Sequence, residues 1–211
     1  MPASRKQRAA IAHLRAADAV LRGLIDAFGP DGLPSRRERP TELYGALVRS
    51  IVGQQLSTTA ARSIYARLAD RYGGRPPTPK EILADDPDEV RAAAGLSRAK
   101  VGFLRSLAEH VRDGSLELER LDELPDEEVI AELVAVKGLG PWTAHMFLIF
   151  HLGRPDVLPV GDLGLRRAIK DRYRLKDLPD AAKMERIAKP WRPYRSLACM
   201  YLWRSLDAVP A

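Results

Sequence analysis

Cysteine is nearly absent from this sequence, and aromatic residues make up only 6% of its 211 residues. The one cysteine, Cys199, excludes an internal disulfide framework, so we expect a reducing compartment such as the cytoplasm. No apolar run approaches the roughly 18 residues that a membrane span needs. The N-terminal stretch also lacks the apolar core of a secretory signal, and we therefore expect no membrane partner.

A large excess of one charge is also missing. The chain has 34 Lys+Arg against 28 Asp+Glu, a net charge of +6, and arginine greatly outnumbers lysine. This moderately basic balance is compatible with binding nucleic acid, but it does not establish such binding. The length suits one or two compact domains with a sizeable core.

The alternating apolar and polar pattern of a half-buried strand does not occur over a convincing length. Helical patterns are frequent instead. Apolar residues recur at helical spacing over residues 9–27, which predicts one amphipathic helix ended by Gly29-Pro30. Cap signals predict further helix starts at Ser57, Thr78, Asp86, Ser97 and Pro125. The patterns together predict an all-α fold.

The stretch 141–151 is apolar nearly all round, which predicts a buried helix at the centre of the fold. After Asp162 we expect a short helix, another near 179–188, and a last one from about 194 to 208.

Two glycines two positions apart, Gly138 and Gly140, precede the apolar helix, whose predicted first residue is Pro141. Glycine lets the backbone turn sharply and expose its N–H groups. Together with the helix dipole, these N–H groups are expected to bind a phosphate, and Lys137 adds a positive charge. The Gly-x-Gly pattern alone leaves open a plain corner between two helices.

Asp162 stands in Pro159-Val160-Gly161-Asp162-Leu163, at the expected mouth of the next helix. A carboxylate there can stabilise the positive charge that develops on a sugar when a base–sugar bond breaks, and it can orient or deprotonate a water. The alternative is a helix N-cap, and the two roles are compatible. No second carboxylate stands out as a general acid. A base made cationic by alkylation departs without protonation, so this favours alkylated purines.

Five segments carry a resemblance to a known family, in that family's order. They are 47–57 (LVRSIVGQQLS), 95–100 (GLSRAK), 136–144 (VKGLGPWTA), 156–167 (DVLPVGDLGLRR) and 191–203 (WRPYRSLACMYLW). On these residues the chain resembles the helix-hairpin-helix (HhH-GPD) DNA glycosylase superfamily, and within it the DNA-3-methyladenine glycosylase II branch.

The resemblance implies a helical fold of two lobes with DNA in the cleft between them. Residues 40–150 would form the central lobe with the helix-hairpin-helix motif, and 1–39 with 151–211 the second lobe. The N-terminal β-rich domain of larger members is not expected. Asp162 would be the catalytic residue.

The resemblance also places aromatic base-pocket residues at Trp142 and Trp203, with Met146 where larger relatives carry an aromatic ring. Tyr44 is a further pocket candidate, and the alternative for all of them is a place in the core. Lyase members of the family have a lysine at the position of Trp142. The implied enzyme therefore hydrolyses the base–sugar bond and leaves the abasic strand uncut.

Residues 53–56 lie between two predicted helices. At this place the family carries a wedge that fills the gap left by an extruded base. Gln55 or Leu56 fits that role, and a polar loop is the alternative. The implied contacts to the DNA backbone come from the hairpin and the first turn after it: Lys137, Gly138, Leu139, Gly140 and Thr143. Hairpin carbonyls in this family can hold a monovalent cation, while no cofactor and no catalytic metal are expected.

We therefore expect a monomeric, monofunctional glycosylase that excises 3-methyladenine and related N-alkylpurines from double-stranded DNA. Two alternatives stay open from the sequence. One is a glycosylase of the same fold for other base lesions, and the other is a DNA-binding module without catalysis.

Overall fold

The computed structural model describes residues 5–30 and 42–207. These residues form α-helices and no β-strand, which confirms the predicted all-α fold. The helices are α1 (Arg5–Ala17), α2 (Ala19–Phe28), α3 (Leu43–Gly53), α4 (Thr58–Arg71), α5 (Pro79–Ala84), α6 (Pro87–Ala94), α7 (Arg98–Asp113), α8 (Asp126–Ala135), α9 (Pro141–Phe147), α10 (Leu163–Arg172), α11 (Ala181–Ala188) and α12 (Arg195–Asp207). Within the described ranges, no helix has the length and apolar character needed to traverse a lipid bilayer.

The chain divides into two compact units, and each of them buries apolar side chains. Among the described residues, the first unit comprises 5–30 with 153–207, and the second comprises 42–152.

The first unit is built around α12, which contacts both α2 and α10. Trp191 and Tyr201 are the largest fully buried side chains of its core, and the Tyr201 hydroxyl donates to the carbonyl of Gly29 at 3.2 Å. Cys199 is also fully buried, and burial raises the pKa of its thiol. The helices expected after Asp162 are confirmed as α10, α11 and α12.

The prediction of a single helix over 9–27 is wrong, because the chain breaks at Asp18 between α1 and α2. Asp18 has an extended backbone, and its Oδ1 accepts from two backbone N–H groups of α2 at 2.8 and 3.0 Å. Its Oδ2 accepts from the Tyr173 hydroxyl at 2.7 Å and from the indole N–H of Trp191 at 3.0 Å. The apolar spacing continues across this cap, so periodicity alone did not reveal the break. Gly29 ends α2 with a φ of +69°, as predicted.

The helix starts predicted in the second unit are confirmed. Side chains of Ser57, Thr78, Asp86 and Ser97 cap α4, α5, α6 and α7, and α8 begins directly after Pro125. Helix α7, with 16 residues, is the longest in the described part of the chain and contacts α3, α5 and α6. It is therefore the central helix against which other helices of this unit pack.

The helix predicted over 141–151 consists of α9 followed by a π-helical segment, Leu148–Leu152. Its middle is buried, as at Phe147 and Ile149, but Trp142 is 45% exposed. Burial on all sides is therefore wrong for the first turn, which places an indole ring on the surface directly after the glycine hairpin.

Candidate active site

Asp162 ends a tight turn and begins α10. Its backbone N–H donates to the carbonyl of Pro159 at 2.9 Å, and its own carbonyl accepts from the N–H of Arg166 at 3.0 Å. Its Oδ1 accepts from the N–H of Leu165 at 2.5 Å, which confirms the predicted N-cap. The residue is only 9% exposed. The turn and the cap together fix the carboxylate in one orientation.

A second group holds the same oxygen. The indole N–H of Trp203, on α12, donates to Asp162 Oδ1 at 2.8 Å. Gly164 lies beside this contact, since a Cβ added there would come within 3.2 Å of Asp162 Oδ1 and 3.6 Å of Trp203 Cδ1. The family resemblance implied that Trp203 is a wall of a base pocket, and this hydrogen bond was not predicted.

The glycine hairpin follows α8 and has a backbone that only glycine suits. Gly138 has a φ of +93°, and a Cβ there would lie 2.2 Å from Cγ of Phe103. Gly140 is extended and precedes α9, whose first residue is Pro141, as predicted. The chain therefore turns against an aromatic ring at a distance that no other side chain permits.

The expectation that the hairpin N–H groups all face open space is wrong for two of them. The N–H of Lys137 donates to Oγ of Ser106 at 3.2 Å, and the N–H of Leu139 donates to the carbonyl of Val136 at 3.0 Å. The side chain of Lys137 is exposed, whereas Thr143 is only 4% exposed. The hairpin is thus tied to its own unit through part of the backbone that we expected to meet phosphate.

One hairpin carbonyl already has a side-chain partner. The amide Nε2 of Gln54 donates to the carbonyl oxygen of Gly138 at 2.7 Å. The proposal that hairpin carbonyls hold a monovalent cation has to accommodate this donor. In the described ranges, no cluster of three or more His, Cys, Asp and Glu side chains is placed to hold a metal ion.

The predicted wedge residues lie on a tight turn between α3 and α4. Gln54 has φ −53° and ψ 132°, Gln55 has φ +59°, and the N–H of Leu56 donates to the carbonyl of Gly53 at 3.2 Å. These are the features of a type II turn, which favours glycine where Gln55 stands. Gln55 is exposed, and Leu56 is 38% exposed. Both side chains therefore project from a strained turn.

The side chain of Lys100 is hydrogen-bonded to the backbone of this turn, a contact that the sequence did not reveal. A lysine in the first turn of a helix is ordinarily a phosphate contact or a solvated side chain. The Nζ of Lys100 instead donates to the carbonyls of Val52 and Gln54, both at 2.8 Å, and burial lowers its pKa.

The candidate base-pocket residues differ in exposure. In the second unit, Trp142 is 45% exposed, Met146 is half-buried and Tyr44 is only 4% exposed. The Tyr44 hydroxyl has no hydrogen-bond partner among the described residues, and burial is the main cause that raises its pKa above the usual range. Trp203, in the first unit, is half-buried. The exposed indole of Trp142 is therefore the ring with most surface for a ligand.

Comparison with known families places this site in context. The HhH-GPD family, described as "HhH-GPD superfamily base excision DNA repair protein", matches residues 48–193. A Schizosaccharomyces pombe protein named DNA-3-methyladenine glycosylase 1 is 34% identical over 195 residues, covering 92% of this chain and 85% of that protein. The chain spans only 59% of the length of a Bacillus subtilis relative that is 32% identical to it.

Two solved structures superimpose on nearly the whole chain. The S. pombe 3-methyladenine DNA glycosylase in complex with abasic DNA superimposes with a TM-score of 0.85 at 34% identity, covering 95% of this chain and 97% of that one. A DNA-3-methyladenine glycosidase from Bacillus halodurans superimposes with a TM-score of 0.81 at 38% identity, covering 94% and 89%. Both comparisons extend well beyond the hairpin and the segment around Asp162.

Proposed function

This chain belongs to the HhH-GPD superfamily of base excision DNA repair proteins, and we propose that it is a DNA glycosylase that removes alkylated purines such as 3-methyladenine from duplex DNA. The observation that carries the proposal is the carboxylate of Asp162, which is largely buried and fixed by a helix N–H and an indole N–H. The names of the similar proteins support the same substrate class.

The proposed chemistry is hydrolysis of the bond between C1′ of deoxyribose and the ring nitrogen of the base. As this bond breaks, its electron pair leaves with the base, and positive charge develops on the sugar. Asp162 stabilises that charge, and the oxygen of a water forms the new bond to C1′. The proton lost by this water passes to the carboxylate and then to solvent. An N-alkylated purine is already cationic and leaves as a neutral base.

We further propose that the enzyme leaves the DNA strand intact. A lyase of this family forms a Schiff base through a lysine at the position occupied by Trp142, and an indole ring has no amine that could form one. Its 45% exposed ring is suited instead to contact with a cationic base, an interaction of roughly 0.5 to 2 kcal/mol.

The DNA backbone is proposed to contact the hairpin region of the second unit. Lys137 is exposed and brings a positive charge next to the start of α9, where the helix dipole favours an anion. Gln55 and Leu56 are proposed to fill the gap that the extruded nucleotide leaves, because both are exposed on the turn after α3.

The test is release of base from methylated duplex DNA by the wild type and by Asp162→Asn, with free base and strand breaks measured separately. Asn has the same shape and can accept both hydrogen bonds that end on Oδ1, so the variant removes the charge. We expect free 3-methyladenine from the wild type, no strand cleavage before alkali treatment, and little release by the variant.

Asp180→Asn is the matched control, because Asp180 also caps a helix of the first unit but is exposed. It should release base at the wild-type rate. Equal release by Asp162→Asn would remove Asp162 from the chemistry. Salt-dependent binding of duplex without release from any methylated site would point to a non-catalytic module, and release of oxidised or deaminated bases alone would change the substrate class.

A further inference from the structure

One face of α7 contacts both the turn that carries the proposed wedge (residues 53–56, the wedge turn) and the glycine hairpin (residues 137–140). Lys100, Phe103 and Ser106 follow one another at intervals of three residues, so they lie along the same side of the helix. The Nζ of Lys100 donates to carbonyls of the wedge turn and of α3. The ring of Phe103 lies directly under Gly138, and Oγ of Ser106 accepts from the N–H of Lys137.

The positive charge of Lys100 is electrostatically unfavourable at the N-terminal end of α7 and favourable at the C-terminal end of α3. Lys100 lies in the first turn of α7, directly after the cap Ser97, where the helix dipole disfavours a positive charge. Its ammonium group reaches Val52 and Gln54, at the C-terminal end of α3, where unpaired carbonyls and the dipole favour a positive charge. Lys100 thus stabilises the end of α3 and the turn that follows.

Gln54 connects the wedge turn to the hairpin. Its backbone carbonyl accepts from Lys100, and its side-chain amide donates to the carbonyl of Gly138 at 2.7 Å. The next residue, Gln55, has a φ of +59°, a conformation that a residue with a Cβ rarely adopts without support. The contacts of Gln54 and Lys100 supply that support immediately beside it.

We propose that Lys100 and Gln54 are positioning residues that hold the wedge turn and the phosphate-binding hairpin in one fixed arrangement on the face of α7. Contact of the hairpin with the DNA backbone then brings Gln55 and Leu56 to the base stack at a set distance. This inference rests on the proposed function of the hairpin and the wedge, and it adds residues that need not touch DNA. Their loss should impair gap filling more than it impairs folding.

The experiment measures wedge insertion without any base release. The full chain is bound to a duplex that carries a tetrahydrofuran abasic analogue opposite 2-aminopurine, whose fluorescence rises when its stacking is disturbed. We expect the wild type to increase the emission at saturation. Lys100→Met, which loses two hydrogen bonds, and Gln54→Ala, which loses one, should each reduce that increase by about half and weaken binding about fivefold.

Arg105→Met is the matched control for Lys100→Met. Arg105 lies on the same helix, and its Nη1 also donates to two backbone carbonyls, those of Ile82 and Asp85 at the end of α5. It should lose comparable thermal stability but keep the full emission change. Lys100→Arg keeps the charge and the donors and should recover part of the signal.

Three results would overturn the proposal. They are an unchanged emission at saturation with Lys100→Met or Gln54→Ala, an equal loss of emission with Arg105→Met, and no emission change with the wild type when it is bound. A wild type that disturbs the 2-aminopurine but releases no methylated base would contradict the proposed activity and leave the positioning role supported.

Discussion

Two aspartates of the first unit, Asp18 and Asp162, occupy the same kind of place and differ in how their oxygens are used. Each caps a helix, and each accepts from a tryptophan indole. At Asp18 the two oxygens have different partners: Oδ1 caps α2, and Oδ2 accepts from Tyr173 and Trp191. At Asp162 the helix N–H and the indole N–H both end on Oδ1.

This difference separates a carboxylate needed for the fold from one proposed for chemistry. At Asp18, replacing Oδ2 by an amide nitrogen places a donor against the indole N–H of Trp191. At Asp162, the same replacement can leave the helix cap and the indole contact in place while it removes the charge. The same substitution at two similar sites therefore tests two different properties.

The largest expected difference between the two sites is in activity. Asp162→Asn should reduce single-turnover release of 3-methyladenine by a factor on the order of 10² to 10⁴, the range for loss of a positioned acid–base group. Asp18→Asn should keep the wild-type rate when the rate is divided by the folded fraction, measured by circular dichroism. A comparable loss of rate in both variants would mean that Asp162 acts only as a helix cap.

The second expected difference is in stability. Asp18→Asn should lower the free energy of unfolding by about 1 to 3 kcal/mol, because a buried donor would lose its acceptor. Urea denaturation followed by circular dichroism measures this change. Asp180→Asn, at an exposed cap, should stay within about 0.5 kcal/mol of the wild type. An equally small effect at Asp18 would show that the bonds of its Oδ2 contribute little to the fold.

The comparison also shows what the sequence could and could not predict. Helix caps such as Ser57, Thr78 and Asp162 were predictable because their donors lie within three residues of the cap. The cap at Asp18 has equally local donors, but it was missed because the apolar spacing continues across it. Its Oδ2 contacts could not be predicted, since Tyr173 and Trp191 lie 155 and 173 residues further along the chain. No periodic pattern marks a contact of that kind.

Large sequence separation also explains why the hydrogen bonds around the hairpin were not predicted. The Gly138 conformation follows from the motif, but its carbonyl is bonded to Gln54, which lies 84 residues away. The role of Lys100 could not be predicted from the sequence either, because a lysine in a helix most often faces water. Its bonds to carbonyls 46 and 48 residues away appear only once α3 and α7 are folded together.

A third prediction concerns the two tryptophans. Trp203→Phe keeps an aromatic ring but removes the N–H that Asp162 accepts, so the rate of base release should fall about tenfold, the value of one hydrogen bond to a charged group. Trp191→Phe, in a fully buried position, should lower the free energy of unfolding and leave the rate per folded molecule unchanged. An unchanged rate in Trp203→Phe would show that the indole N–H has no part in placing the carboxylate.

The smallest expected effect comes from a single methyl group in each capped helix. Gly164 lies in α10, where a Cβ would approach Asp162 Oδ1 to 3.2 Å, whereas a Cβ on Gly23, in α2, would meet no atom within 4 Å apart from its chain neighbours and its own helix backbone. Gly23→Ala should raise the free energy of unfolding by up to about 1 kcal/mol through helix propensity, without changing base release. Gly164→Ala should displace the carboxylate by a few tenths of an ångström and slow base release about threefold, because catalysis depends on the placement of the reacting groups.

Single-turnover rates and urea denaturation of both variants provide the measurement. If Gly164→Ala releases base as fast as Gly23→Ala, the carboxylate tolerates displacement, and the fixed geometry at Asp162 is not what the reaction requires.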